Sequence, residues 1–157
     1  MQFATFHDLE DQSIFITGGG SGIGADLTKG FLSQGSKVTF IQRSNPEKFL
    51  IDCKGKYKHE PSFLECDVTN TKELKTALQR TAKKQGPISV LVNNAANDTR
   101  HSLGEFTSEQ WDKTMNVNLK PHFFAAQEVV EGMKKNGGGS IINFSSISYM
   151  MGNEGYP

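Results

Sequence analysis

Thr17-Gly-Gly-Gly-Ser-Gly-Ile-Gly24 stands directly between an apolar run, Ser13-Ile-Phe-Ile-Thr17, and a helical pattern from Gly22 to Gln34. The run reads as a buried strand. The pattern puts Ile23, Leu27, Phe31 and Leu32 on one face, and Gly35 closes it. A glycine-rich turn in this setting offers bare N–H groups at a helix N-terminus, where a pyrophosphate can be held. Gly18, Gly22 and Gly24 would supply the turn, the close approach and the tight helix packing. The spacing is T-G-x3-G-x-G, not the G-x-G-x-x-G of the better-known fingerprint. Alone, such a turn is also ordinary structural punctuation; the strand before it and the helix after it favour the phosphate reading.

Outward from the turn, short apolar runs alternate with longer helical patterns. Lys37 to Gln42 reads as a second strand and, after a variable Lys-rich stretch, Phe63 to Cys66 as a third. Asn70 with Glu73 has the spacing of a capping box ahead of a helix, and Ile88 to Val92 reads as a fourth strand. Thr107 with Gln110 repeats that signal before a run from Ser108 to about Lys135, which Pro121 should split or kink. Gly137 to Gly139 leads into a fifth strand, Ser140 to Phe144. The order is βαβαβαβαβ. It predicts an α/β fold, a doubly wound parallel sheet between two helical layers.

The end of the second strand is where a carboxylate would hold the hydroxyls of an adenosine ribose. Gln42-Arg43-Ser44 stands there instead. A guanidinium without a carboxylate suits a 2′-phosphate, which it grips in a bidentate fork, so NADP is favoured over NAD. The plainer alternative is that Arg43 is a solvated loop charge.

Composition narrows the partners. The 157 residues carry 17 Lys+Arg and 17 Asp+Glu, with a pI near 6.9, which gives no electrostatic case for nucleic acid or an anionic membrane. Adding the 16 Gly to the apolar residues and setting aside Tyr gives roughly 45% of the chain, ordinary for one globular domain. Cys53 and Cys66 fit neither a disulfide framework nor a four-ligand zinc site, and nothing suggests a metal. Met1 to Ser13 has no basic region followed by an apolar one, so it does not read as a signal peptide. No apolar run approaches the roughly 18 residues needed to cross a bilayer. The expectation is a cytoplasmic protein.

Thr17–Gly24, Asp67-Val68, Asn93-Asn-Ala-Ala96, Asn116-Val-Asn118 and Ile142-Asn-Phe-Ser-Ser146 occur in that order. Together they resemble the short-chain dehydrogenase/reductase family, which binds a nicotinamide dinucleotide on a Rossmann sheet. Ala96 departs slightly, standing where the family usually has Gly. The resemblance implies that Gly18, Ser21, Gly22, Ile23 and Gly24 form the pyrophosphate cradle and that Asp67 and Val68 lie by the adenine. It implies that Asn93, Asn94 and Ala95 support the sheet and the cofactor. Asn118 matches the asparagine that holds a proton-relay water; its alternative is a helix-kink residue satisfying backbone freed near Pro121. Ser146 matches the serine that hydrogen-bonds the reacting carbonyl or hydroxyl, with Ser145 and Ser148 as competitors.

The family's acid/base is a Tyr followed four residues later by a Lys, about a dozen residues beyond the serine. Tyr149 has Asn153 at the fourth place, and after Tyr156 only Pro157 remains. Neither qualifies. The expectation is one NAD(P)-binding domain over 1–157, incomplete at its C-terminus and inactive alone, the N-terminal part of a longer enzyme. Complete members generally assemble as dimers or tetramers, so a homo-oligomer is expected.

Asn97-Asp-Thr-Arg-His101 follows the fourth strand at the sheet edge where ligands sit. With Gly137 to Ser148 it resembles the family's aldose 1-dehydrogenases, which oxidise sugars at C1 to lactones. Asp98, Arg100, His101 and Ser148 are then candidates for the sugar site. The alternatives are a salt-bridged loop for Asp98 and Arg100 and an interface or structural role for His101. Two further functions stay open: an NADPH-dependent ketone or 3-oxoacyl reductase, and a half-domain that binds dinucleotide or a partner without catalysis. Trp111, with Met115 four residues on, reads as core packing. Cys53 and Cys66 read as space-filling thiols, and Lys54 to Lys58 as a solvated loop.

Overall fold

Ile14, Phe15 and Ile16 alternate between two apolar layers, and that alternation sets the architecture. Phe15 joins Ile41 and Leu91 in one cluster, while Ile14 and Ile16 join Val38, Phe40, Val90 and Val92 in the other. A strand side chain changes face at every residue, so continuous apolar runs are what a sheet covered on both faces requires. The computed structural model describes residues 4–152 and 154–155, and of Tyr149 only the backbone.

The strands are β1 (Ser13–Thr17), β2 (Lys37–Gln42), β3 (Ser62–Glu65), β4 (Val90–Asn93) and β5 (Ser140–Asn143). All pairings are parallel, in the order β3-β2-β1-β4-β5. The helices are α1 (Gly22–Ser33), α2 (Glu47–Cys53), α3 (Thr71–Gln85), α4 (Ser108–Asn118), α5 (Lys120–Lys135) and α6 (Ser148–Met151). Leu32 of α1 and Cys53 of α2 pack on one face of the sheet; Leu74 and Leu78 of α3 and Val129 and Met133 of α5 pack on the other. This is a Rossmann-type doubly wound sheet. The chain order reverses between β1 and β4, which opens a crevice at their carboxyl ends.

The expected strands and breaks are present, displaced by a residue or two at β3 and β4. Asn70 caps α3 by accepting from the Glu73 N–H at 3.2 Å. At Thr107 both bonds of the capping box form with Gln110. The run from Ser108 breaks at Leu119, and buried Pro121 sits in the first turn of α5. A proline is tolerated there because its missing N–H has no intrahelical partner anyway.

Four details differ from the sequence reading. The seven residues of α2 lie inside the stretch read as variable; Phe49 and Leu50 pack against the core behind a Pro46 cap that makes no side-chain bond. Ile23 is exposed, and the buried stripe of α1 is Gly24, Thr28 and Leu32, because the helix turns its first residues toward the crevice. Trp111 is 57% exposed and packs edge-to-face with Phe106, and α4 buries none of its residues. The Lys54–Lys58 stretch is exposed but tied down: Lys56 pairs with Asp52, and Lys58 with Glu10 and Asp11. Cys53 and Cys66 are buried free thiols, as expected of space-fillers.

Candidate functional site

The turn between β1 and α1 is shaped by contacts that leave no room for side chains. Gly18 has φ +71° and donates its N–H to the Ile41 carbonyl at 2.7 Å, a conformation that favours glycine. A Cβ on Gly24 would collide with the Gly18 carbonyl oxygen, so helix and turn can approach this closely only without one. At Gly22 a Cβ would meet nothing, and that face of the turn is open. Buried Thr28 donates its hydroxyl to the Gly19 carbonyl at 2.8 Å. The Ser21 cap makes no side-chain bond, and the first turn of α1 carries no acid. Unclaimed N–H groups and the positive end of the helix dipole therefore face outward, a site for an anion.

The end of β4 braces the turn from the other side. The Thr17 hydroxyl accepts from the Asn94 and Ala95 N–H groups at 3.0 and 2.9 Å. The Asn94 amide donates to the Thr17 and Gly18 carbonyls at 3.1 and 3.2 Å. Asn93 is fully buried and donates to the Asn143 side chain at 2.8 Å, tying β4 to β5. Thr17, named with the turn motif, thus carries more of the site than its place in the motif suggests.

A cleft of about 580 Å³ opens over this turn. Gly18, Ser21, Ile23, Gly24, Asn94 and Ala95 line it, together with Arg43, Asp67 and Val68. Asp67 accepts from the Thr69 N–H and hydroxyl at 2.9 and 2.8 Å. Those bonds hold its carboxyl below the ordinary 3.8, and the Arg43 charge adds to them. Burial pushes the thiol of Cys66, also in the wall, up to about 11. It stays protonated and unreactive at neutral pH.

The sequence reading missed Gln42 and Ser44 beside Arg43, and Lys113 and Val117 of α4 on the rim. Lys113 and Val117 lie one turn apart on a helix face, but nothing in the local sequence marks that face as the one turned to the cleft.

The remaining candidates stand around the cleft rather than in its wall. The Asn118 amide donates to the Asn97 carbonyl at 3.0 Å and accepts from the Asn97 N–H at 2.8 Å. It does not bond the backbone near Pro121, so the kink-satisfying alternative is corrected. Ser146, after β5, donates its hydroxyl to the Ser148 hydroxyl at 2.9 Å, and its oxygen lies 3.2 Å from the Ser148 N–H. Arg100 donates to the Glu154 carbonyl at 3.4 Å. His101 stacks on Phe106 with ring centres 3.8 Å apart. Asp98 is exposed on the same loop. Asn153 and Tyr156 lie outside the described residues. Among the described residues no cluster of acids, His and Cys could hold a metal, and no helix is long and apolar enough to cross a membrane.

The pattern of turn, brace and cleft has a counterpart in known proteins: the family model for short chain dehydrogenases matches residues 12–157. The chain belongs to the short-chain dehydrogenase family. This short-chain dehydrogenase is 41% identical over 149 residues to a protein of Rhizobium meliloti named probable galactose dehydrogenase, covering 93% of this chain and 58% of that one. It is 41% identical over 155 residues to the D-xylose 1-dehydrogenase of Caulobacter vibrioides, covering 98% of this chain and 61% of that one. Among solved structures, the ligand-free aldohexose dehydrogenase of Thermoplasma acidophilum superposes with a TM-score of 0.78 at 31% identity, over 91% of this chain and 52% of that one. The chain therefore spans about six-tenths of the length of the curated relatives it matches.

Proposed function

We propose that this short-chain dehydrogenase binds NADP in preference to NAD and serves an enzyme that oxidises an aldose at C1 to its lactone. The observation that carries the reading is the uncapped glycine turn facing a cleft lined also by Arg43, with no acid at the end of β2. The 41% identity to two sugar dehydrogenases supports the substrate class.

The residues present fit a dinucleotide. The N–H groups of the turn, kept open by Gly22, hold the pyrophosphate, and the Arg43 guanidinium takes the 2′-phosphate. Asp67 and Val68 border the adenine, with Asp67 kept ionised by Thr69. When bound, the nicotinamide supplies the hydride acceptor. Ser146 hydrogen-bonds the C1 hydroxyl of the sugar, and Ser148 orients the Ser146 hydroxyl. Asn118 fixes the path of the chain at Asn97. Asp98, Arg100 and His101 shape the sugar end. Tyr57 is followed at the fourth place by Pro61 and Tyr149 by Asn153, so neither carries the family's Lys.

The test is a titration followed by an assay. NADPH fluorescence should rise on binding, and Arg43→Ala should raise the NADPH Kd by about tenfold while leaving NADH nearly unchanged. The complete enzyme should reduce NADP with xylose or galactose. Turnover of keto esters with NADPH and none of aldoses would establish the reductase alternative. A monodisperse 157-residue protein that binds cofactor and turns nothing over would establish the half-domain. Sedimentation of the enzyme should give a dimer or tetramer.

A further inference from the structure

The side chain at the end of β2 is engaged inward rather than toward a ligand. The Gln42 Oε1 accepts from the Gly20 N–H at 3.0 Å, and its Nε2 donates to the Ser44 carbonyl at 2.7 Å. Gly20 belongs to the glycine turn, and Ser44 to the loop that carries Arg43. One amide thus joins the two pieces of backbone that face the cleft from β1 and β2. The contact is close: a Cβ on Gly20 would meet Gln42 Oε1, the Phe40 ring and Pro46.

The chemistry explains why an amide stands here. Gly20 offers a donor and Ser44 an acceptor, so their bridge must accept at one atom and donate at another. Gln does both; a carboxylate of the same length only accepts, and an isosteric Met cannot donate and accepts only weakly. We infer that Gln42 is a positioning residue that clamps the phosphate-binding turn to the Arg43 loop, so that both are ordered before any dinucleotide arrives. The inference rests on the dinucleotide reading above and goes beyond it. A residue that discriminated between cofactors at the ribose would change their ratio. A clamp contributes to both affinities, because the pyrophosphate they share sits on the clamped turn.

The experiment compares the wild type with Gln42→Met and Gln42→Glu. Amide hydrogen exchange should show a protected Gly20 N–H in the unliganded wild type, lost in Gln42→Met and largely restored in Gln42→Glu, which still accepts from it. The Kd values of Gln42→Met for NADPH and NADH should each rise by about fivefold, with their ratio held within about twofold. Gln42→Glu should shift that ratio toward NADH. Unprotected Gly20 in the wild type, or a Gln42→Met protein in which only the ratio moves, would overturn the clamp. Failure of the wild type to bind either cofactor would overturn the dinucleotide reading and the clamp's function together. Protection at Gly20 would still report separately whether the bond itself forms.

Discussion

β1 and β5 belong to one sheet and live in different surroundings. Every residue of β1 is buried, and every residue of β5 is exposed. The glycine turn, Thr17 and Asn94 hang on the first kind of strand; Ser146 and Ser148 follow the second. The part of the candidate site proposed to bind a dinucleotide is mounted on a scaffold covered on both faces. The segment proposed to meet the substrate follows exposed Ile141, Ile142 and Phe144. Within these residues, the proposed cofactor side is buried against the core and the proposed substrate side is exposed.

The contrast is sharpest in core deletions. Phe15→Ala, at a site with no exposure, should destabilise the fold by about 3–5 kcal/mol, against less than about 1 kcal/mol for Ile142→Ala, which is already 42% exposed. Urea denaturation of the two variants decides; equal losses would break the comparison. Next, Gly24→Ala drives a methyl into the Gly18 carbonyl and should cost about 1–3 kcal/mol together with most of the NADPH binding. Thermal melts with and without NADPH measure both.

The helix caps give a smaller effect of the same kind. Asn70→Ala should lower stability by about 1 kcal/mol, because α3 buries Leu74, Ala77, Leu78 and Thr81 and cannot fray without opening the core. Thr107→Ala removes a similar cap from α4, yet should be felt mainly as faster local hydrogen exchange there. The smallest effect lies at the opposite end of the strands. Lys58, and then His59, hold the exposed Asp11 carboxyl at about 2, against an ordinary 3.8. A depressed carboxylate stabilises the fold above its unfolded value, and that contribution is lost as pH falls from 3.8 toward 2. The urea midpoint of Asp11→Asn should therefore fall less steeply over that window than that of the wild type.

Local chemistry made most of the frame legible. The Gly18–Gly24 turn, the Asn70 and Thr107 caps and Pro121 each act within a few residues of themselves, so a short window carries their meaning. α2 escaped because its cap residue makes no side-chain bond and its seven residues are too few to show a period. The braces escaped for another reason. Thr17 meets Asn94 across 77 positions, and Gln42 meets Gly20 across 22. Such pairs exist only once the sheet has set the distance between its strands. Trp111 misled because a helical spacing shows which residues share a face and not whether anything covers that face.

The reciprocal pair between Asn118 and Asn97 has a mechanical side. A carbonyl and an N–H presented together to the N–H and carbonyl of one residue is what a neighbouring strand offers in a ladder. A single side chain here imitates a strand partner four residues after β4 has left the sheet. The Asn97 stretch, which lines the cleft, is thereby spliced to the end of α4.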